Sequence, residues 1–373
     1  MENFSMSTLT GLIGGGGGGG ATGEVFTVLQ SSTFHFPYSG KVKVICIGGG
    51  GSGGLFSNNN NQKRSATGGG AGGTSAKILD VTTDDSITCV IGSGGVSATV
   101  AGSNGSAGGQ SSVNSNNLVI ALTANGGGGG ASATGANASG GSGGTGSGGD
   151  FNFTGGAGGN TNGNASVNGF TRLQTGGGAT GINANGISGG NINANTSQYS
   201  ATSGGSLYGA PVSLAKNNSN GLGVAGRAAS GLKDASPYTN ADTWNLNTGS
   251  VTTAMLLVAS NGMDAPNTAA ELVKAAMRGE GASGGYDPVN AAYVDGGPGG
   301  GCAISSLNNI GHPNAGMFGG GGSASGTGLD ANVSGSDGGL GGGGGGSSGT
   351  TMTNSMPLAS GAGGDGMVII QYI

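Results

Sequence analysis

Few residues in this chain have the type and spacing that chemistry requires. Residues 48–52 (GGGGS) follow a strand-like run, the place where a glycine-rich turn cradles a dinucleotide pyrophosphate. That cradle needs a helix after the glycines, but residues 55–62 (LFSNNNNQ) read as a loop, and no GxxxxGK[ST] phosphate loop occurs. The two histidines, His35 and His312, have no Cys, Asp or Glu at ligand spacing and read as structural. A serine nucleophile needs a base, and no GxSxG elbow is followed by a suitable Asp and His. Asp84 and Asp85 sit in TTDDS, which is turn chemistry rather than acid–base chemistry. Residues 143–151 (GGTGSGGDF) resemble one calcium-binding nonapeptide, but a single copy cannot stack into a repeat that holds ions. Cys46, Cys89 and Cys302 are odd in number and lack metal spacing, so they read as small buried residues of a chain folded in a reducing cytoplasm. The expectation is a protein that is not an enzyme, with no catalytic residue, no metal and no cofactor.

Aromatic residues offer a different chemistry. Tyr199, Tyr208, Tyr238, Trp244, Tyr286, Tyr293 and Phe318 are interspersed with Asn, Ser and Asp. Tyr with Asn, Ser and Gly is the composition of adaptable binding surfaces, and aromatic faces also stack on sugars. Tyr238, Trp244, Tyr286 and Tyr293 are therefore the candidate contact residues. The competing role for each is to anchor a loop on the core, and a lone Trp is usually mostly buried.

The elements that must position them are unusual. Gly accounts for 94 of the 373 residues, whereas Leu, Ile, Val and Phe together account for 64. That apolar content fills one modest core, not one sized for the whole length. Only 7% of residues are charged, so the high-charge signature of disorder is missing too. Main-chain hydrogen bonding must order the remainder, because Gly lets backbones approach closely. Collagen is excluded: there are only 8 Pro, and Gly does not recur at every third position. A net charge of −5 with 11 scattered Lys and Arg excludes a nucleic-acid partner. No apolar run approaches the ~20 residues of a membrane span, and residues 1–10 show no basic and apolar segments of an export signal.

Strand-like segments cluster at the two ends of the chain. They are residues 24–29, 33–36, 41–47 (KVKVICI), 75–81, 86–91, 96–101, 117–122 (NLVIAL), 255–259 and 367–372 (MVIIQY). In 41–47, Val42, Val44 and Cys46 share one face, and residues 82–85 form a turn between two strands. Strands without intervening helices indicate an antiparallel sandwich. One helix is expected over residues 264–280, capped by Asn267, striped by Leu272, Val273, Ala276 and Met277, and ended by Gly279. Gly tracts at 48–54, 68–73, 126–130, 140–149, 155–159, 319–322 and 338–346 lie between. Polyproline-II geometry has three residues per turn and points its N–H and C=O groups outward, so several Gly tracts can bond into a bundle. Ordered loops are the alternative.

Three segments resemble a known pattern: STFHFPYSGKVKVICIGGGGSGG (32–54), GGGAGGTSAKILDVTTDDSITCVIGSGG (68–95) with NLVIALTANGGGGGA up to Ala131, and SGAGGDGMVIIQY (360–372). Together they resemble the glycine-rich domain of bacteriophage tail and tail-fibre proteins. The glycine-rich domain of anaplastic lymphoma kinase and the polyglycine-helix tip adhesins of T-even phage fibres are similar. The resemblance implies a jelly-roll-like sandwich with inserted polyglycine-II helices or Gly-rich ordered loops. It further implies a virion protein of the tail, assembled in the host cytoplasm among other virion proteins, with a host surface glycan or outer-membrane protein as a partner. A homo-oligomer, with a trimer favoured, is expected because a shared axis adds apolar burial. The alternative is a secreted or cell-surface adhesin or filament subunit. The expected organisation is an attachment segment at 1–23, a scaffold from 24–131 and 361–373, and a variable region at 132–360.

Overall fold

Alternation of apolar and polar residues builds the first layer of the protein, a computed structural model. It describes residues 23–57, 64–133, 135, 137–162, 172–182, 184–193, 199–202, 204, 213–216, 285–287, 292–294, 315, 318–322, 334–349 and 359–373. The strands are β1 (Val25–Val28), β2 (Ser32–His35), β3 (Gly40–Ile47), β4 (Leu55–Ser57), β5 (Arg64–Ala66), β6 (Thr74–Val81) and β7 (Ser86–Val90). They continue with β8 (Ser111–Asn114), β9 (Ala121–Ala124), β10 (Ser132–Ala133), β11 (Gly146–Ser147), β12 (Phe151–Phe153), β13 (Thr161–Asn162) and β14 (Arg172–Gln174). The last are β15 (Ile192–Asn193), β16 (Tyr199–Thr202), β17 (Ser213–Lys216), β18 (Gly285–Asp287), β19 (Ala292–Val294), β20 (Ser347–Gly349) and β21 (Met367–Tyr372).

The fold is mainly β, with no α-helix among the described residues. One sheet runs β1-β21-β3-β6-β12 and a second runs β11-β9-β8-β7-β2, each with antiparallel neighbours throughout. Val42, Val44, Cys46, Val368 and Ile370 of the first sheet share one core with Ile87, Cys89, Val113 and Leu122 of the second. The two sheets therefore pack face to face, as the alternation predicts. Both also draw an edge strand, β11 or β12, from residues 146–153, within the stretch read from sequence as the variable region. A third sheet, β10-β5-β14-β16-β17, mixes parallel and antiparallel pairs.

A second, smaller cluster covers the other face of the first sheet. Ile45, Ile47, Ala76 and Met367 pack there with Phe318, flanked by Ile182 and Leu340. Phe318 takes a left-handed backbone (φ 69) and is held by its N–H to the Leu340 carbonyl at 3.1 Å and its own carbonyl to the Thr180 N–H at 2.8 Å. Burial on both sides explains why β3 reads as alternating at its start and continuously apolar at its end.

At the opposite end, rings close the gap between the sheets. Phe26 lies 5.3 Å from Phe34, Phe34 lies 5.4 Å from Phe36, and Tyr38 lies 5.8 Å from Tyr372. The Tyr372 hydroxyl donates to the Tyr38 carbonyl at 2.9 Å, and burial lifts that phenol above its ordinary value.

Two strand expectations are corrected. Residues 96–101 form no strand, and the strand expected over 117–122 lies at Ala121–Ala124, preceded by β8 at Ser111–Asn114. In 115–118 the Ser115 hydroxyl accepts from the Asn117 and Leu118 N–H groups, which makes a turn and leaves Val119 88% exposed. The strand at 255–259 and the helix at 264–280 lie outside the described residues.

Cys46 and Cys89 are buried and free. Burial pushes the Cys46 thiol from an ordinary 9.0 to about 12, with the Cys89 thiol adding to the rise. Burial alone pushes Cys89 from 9.0 to about 12. Between pH 9 and 12 the unfolded thiols lose protons that the folded ones keep, so stability falls as pH rises, by up to ~1.4 kcal/mol per pH unit per thiol. Below pH 9 this contribution is fully present. Denaturant titrations at pH 8 and pH 10.5 should show the decline, and a thiol reagent at pH 8 should label neither residue until the protein unfolds. Rapid native labelling of both would contradict the burial.

Candidate functional site

The Gly tracts collect at one end of the two sheets. β3 runs into residues 48–54, β9 runs into 126–130, and β7 is followed by 92–95. β6, β8 and β21 each emerge from a tract, at residues 68–73, 105–109 and 361–366. The registers Ile47 with Thr74 and Met367, and Ser111 with Ala124, place these crossings at the same end of each sheet.

Within this body the hydrogen bonds rotate with a period of three. Gly48, Gly51 and Gly54 donate to Gly73, Gly70 and Thr67. Gly49, Ser52 and Leu55 donate to Gly109, Ser106 and Ser103. Gly50 and Gly53 donate to Gly364 and Gly361, and all these N···O distances fall between 2.8 and 3.0 Å. The carbonyls serve three further neighbours: Gly49 and Ser52 accept from Gly127 and Gly130, Gly51 and Gly54 from Gly344 and Ser347, and Gly50 from Gly95. Six segments thus surround residues 48–54. A Cβ at Gly51 would overlap the Gly128 carbonyl, and one at Gly50 the Gly342 carbonyl, so the close approach itself demands glycine.

This geometry decides the candidate chemistry. Every N–H of residues 48–54 is already given to a carbonyl, so the segment has no donors left for a phosphate. Asp85 closes its turn by accepting from the Thr82 N–H at 2.8 Å and hydroxyl at 2.9 Å. Asp150, the acid of the nonapeptide-like segment, accepts from the Ile78 N–H at 2.9 Å. His35 lies exposed in β2, and His312 lies outside the described residues. Lys41 pairs with Asp80 at 3.0 Å on the surface, a contact worth little.

Of the four candidate aromatics, the structure brings two together. Tyr286 and Tyr293 are directly opposite in the antiparallel pair β18–β19. Tyr238 and Trp244 lie outside the described residues.

A further set of ordering positions is not evident from composition. The side-chain oxygens of Asn185, Ser188 and Asn191 accept from the N–H groups of Thr154, Ala157 and Asn160, at 2.9, 3.2 and 2.7 Å. Side chains at every third residue of this neighbouring segment add to its main-chain bonds, Gly186 to the Thr154 carbonyl and Gly189 to the Ala157 carbonyl. Exposure follows the same period: Gly92, Gly95 and Ala98 are buried, whereas Ser93, Val96 and Thr99 are exposed. The detectable signal was the spacing of polar residues within NANGISGGN.

A family model described as a glycine-rich domain matches residues 26–250. That span takes in the two facing sheets apart from β21 and the first residue of β1. No curated protein matches the chain.

Proposed function

We propose, from the premise that the chain belongs to the glycine-rich domain family, that it is a structural protein of a bacteriophage tail or tail fibre that assembles as a homo-oligomer, a trimer favoured, and touches the host surface. The observation that carries this reading is the three-residue rotation of hydrogen bonds around residues 48–54. In this reading the tracts are polyglycine-II helices, whose three residues per turn send successive N–H groups to three neighbours. A body whose inner tract is bonded through its main chain to six neighbours is stiff without a large apolar core. It suits a load-bearing part that projects into the medium. The phage setting rests on the likeness of residues 32–131 and 360–372 to tail proteins, and fold alone does not fix function. Tyr286 and Tyr293, with Tyr238 and Trp244, supply the rigid contact area for a surface glycan or an outer-membrane protein.

The test combines mass spectrometry of purified virions with an adsorption assay. The chain is expected among the tail proteins, and Tyr286→Ala with Tyr293→Ala is expected to weaken adsorption about 30-fold, the equivalent of ~2 kcal/mol for an interface hot spot. Absence from virions removes the structural assignment. Unchanged adsorption by the folded double variant removes the host-contact assignment.

A further inference from the structure

The 11 Lys and Arg are scattered along the chain, and the third sheet gathers three of them. Its strand pairs set Arg64 of β5 opposite Arg172 of β14, Arg172 opposite Tyr199 of β16, and Tyr199 opposite Lys216 of β17. Directly paired positions share a face of a sheet, so the four residues occupy one row. Neighbouring strands lie ~4.8 Å apart, which gives the row a length of ~14 Å. From it β5 and β14 run into the Gly-tract residues 68–73 and 176–178, so the row lies at the end of this sheet away from those tracts.

The charge along this row is one-sided. The five strands of the sheet carry Arg64, Arg172 and Lys216 and no Asp or Glu, although the chain has 16 acids and a net charge of −5. The first sheet treats a cation differently: Lys41 of β3 has Asp80 of β6 at its paired position, and the two ions meet at 3.0 Å. Arg64 has a second Arg there. Like charges at paired positions oppose folding, and an anion laid along the row relieves that opposition. Arg is the residue suited to two-pronged bonding of a planar acid group. A Tyr set between cations supplies rigid, amphipathic contact area of the kind that covers a sugar ring. A nucleic acid carries an anion at every step, and the net charge of −5 repels it from the molecule as a whole.

We propose that Arg64, Arg172, Tyr199 and Lys216 form a binding row for an acidic polysaccharide, a polymer whose carboxylate or sulfate groups alternate with flat sugar rings. Acid groups are taken by the two Arg at one end of the row and by Lys216 at the other, and a sugar ring lies against Tyr199 between them. The row does not involve Tyr286 or Tyr293, and it is independent of the virion setting.

The test measures binding of the full-length chain to heparin, a sulfated polymer, and to polygalacturonate, a carboxylated one, with neutral dextran and single-stranded DNA as comparisons. Wild type is expected to bind at least one of the two acidic polysaccharides, less tightly as salt rises, and to leave dextran and DNA unbound. Which of the two it prefers identifies the acid group. Arg64→Gln with Arg172→Gln is expected to lose ~10-fold or more in affinity and to show a shallower dependence on salt. Tyr199→Ala is expected to lose ~10-fold with the salt dependence unchanged. Lys41→Gln, at a cation already paired with Asp80, is expected to bind as wild type does. Circular dichroism matching wild type separates lost binding from lost folding, and Lys216→Gln, in the edge strand β17, repeats the test with a single change. A wild type that ignores both acidic polymers would overturn the proposal, as would row variants that bind like wild type. So would dextran or DNA bound as tightly, or a Lys41→Gln loss equal to that of the row variants.

Discussion

Gly51→Ala is expected to cost about 4 kcal/mol or more, a large share of the ~5–15 kcal/mol that holds an ordinary domain folded. Its Cβ would overlap the carbonyl of Gly128 and crowd that of Gly127, with no flexible side chain to move aside. Overpacking a core typically costs ~1–3 kcal/mol because side chains adjust. Here two backbones must separate. The Gly51 N–H bond to Gly70 and the Gly344 N–H bond to Gly51, at 2.8 and 2.9 Å, stretch with them, each worth ~1 kcal/mol and more when left buried and unpaired. Gly135→Ala is the matched control, since the nearest atom to its Cβ is the Asn137 nitrogen at 3.9 Å. It should stay within ~0.5 kcal/mol of wild type. Denaturant midpoints of the three proteins check this. A Gly51→Ala midpoint equal to the Gly135→Ala midpoint would mean that the tracts do not pack as described.

Phe36→Ala is expected to lose ~3–5 kcal/mol, the range for a buried aromatic truncated in a core that cannot collapse. Phe36 is 2% exposed, belongs to the core shared by the two sheets, and meets Phe34 edge-on at 5.4 Å. Its N–H also donates to the Asp85 carbonyl at 3.3 Å, which ties the end of β2 to the turn after β6. Val119→Ala, at a position 88% exposed, should change stability by less than ~0.5 kcal/mol. Equilibrium unfolding with both variants reads the contrast, and a loss below ~1 kcal/mol for Phe36→Ala would show that the two sheets do not depend on a common core.

Segments that bury one face leave a trace in their own order of residues. Residues 86–90 alternate because only one side is core, residues 41–47 alternate at their start, and the apolar runs 45–47 and 367–370 are buried on both faces; β7, β3 and β21 follow. Where burial does not involve large apolar groups the trace is absent. β8 presents Ser111 and Val113 to the interior, and one valine is too little to announce a strand. Residues 96–101 misled for the opposite reason. Val96 and Val100 have the side chains of a strand, yet they are 74% and 62% exposed on the surface of the Gly-tract body, where the period is three rather than two. Tyr286 and Tyr293 could be named as contact candidates from composition, but only pairing in β18–β19 set them opposite each other.

The sequence by itself therefore determined that the protein is mainly β, that its core is small, and that main-chain bonds among glycines must do the remaining ordering. It could not say which tract bonds to which. A glycine carries no side chain, so nothing local distinguishes Gly50 from Gly51 or sets a register between two tracts. Tertiary structure made that choice: Gly50 donates to Gly364, near the far end of the chain, and Gly51 donates to Gly70. The strands that feed the tracts hold one end of each in place, and the bonds then close only in the arrangement where every third donor meets the same neighbour.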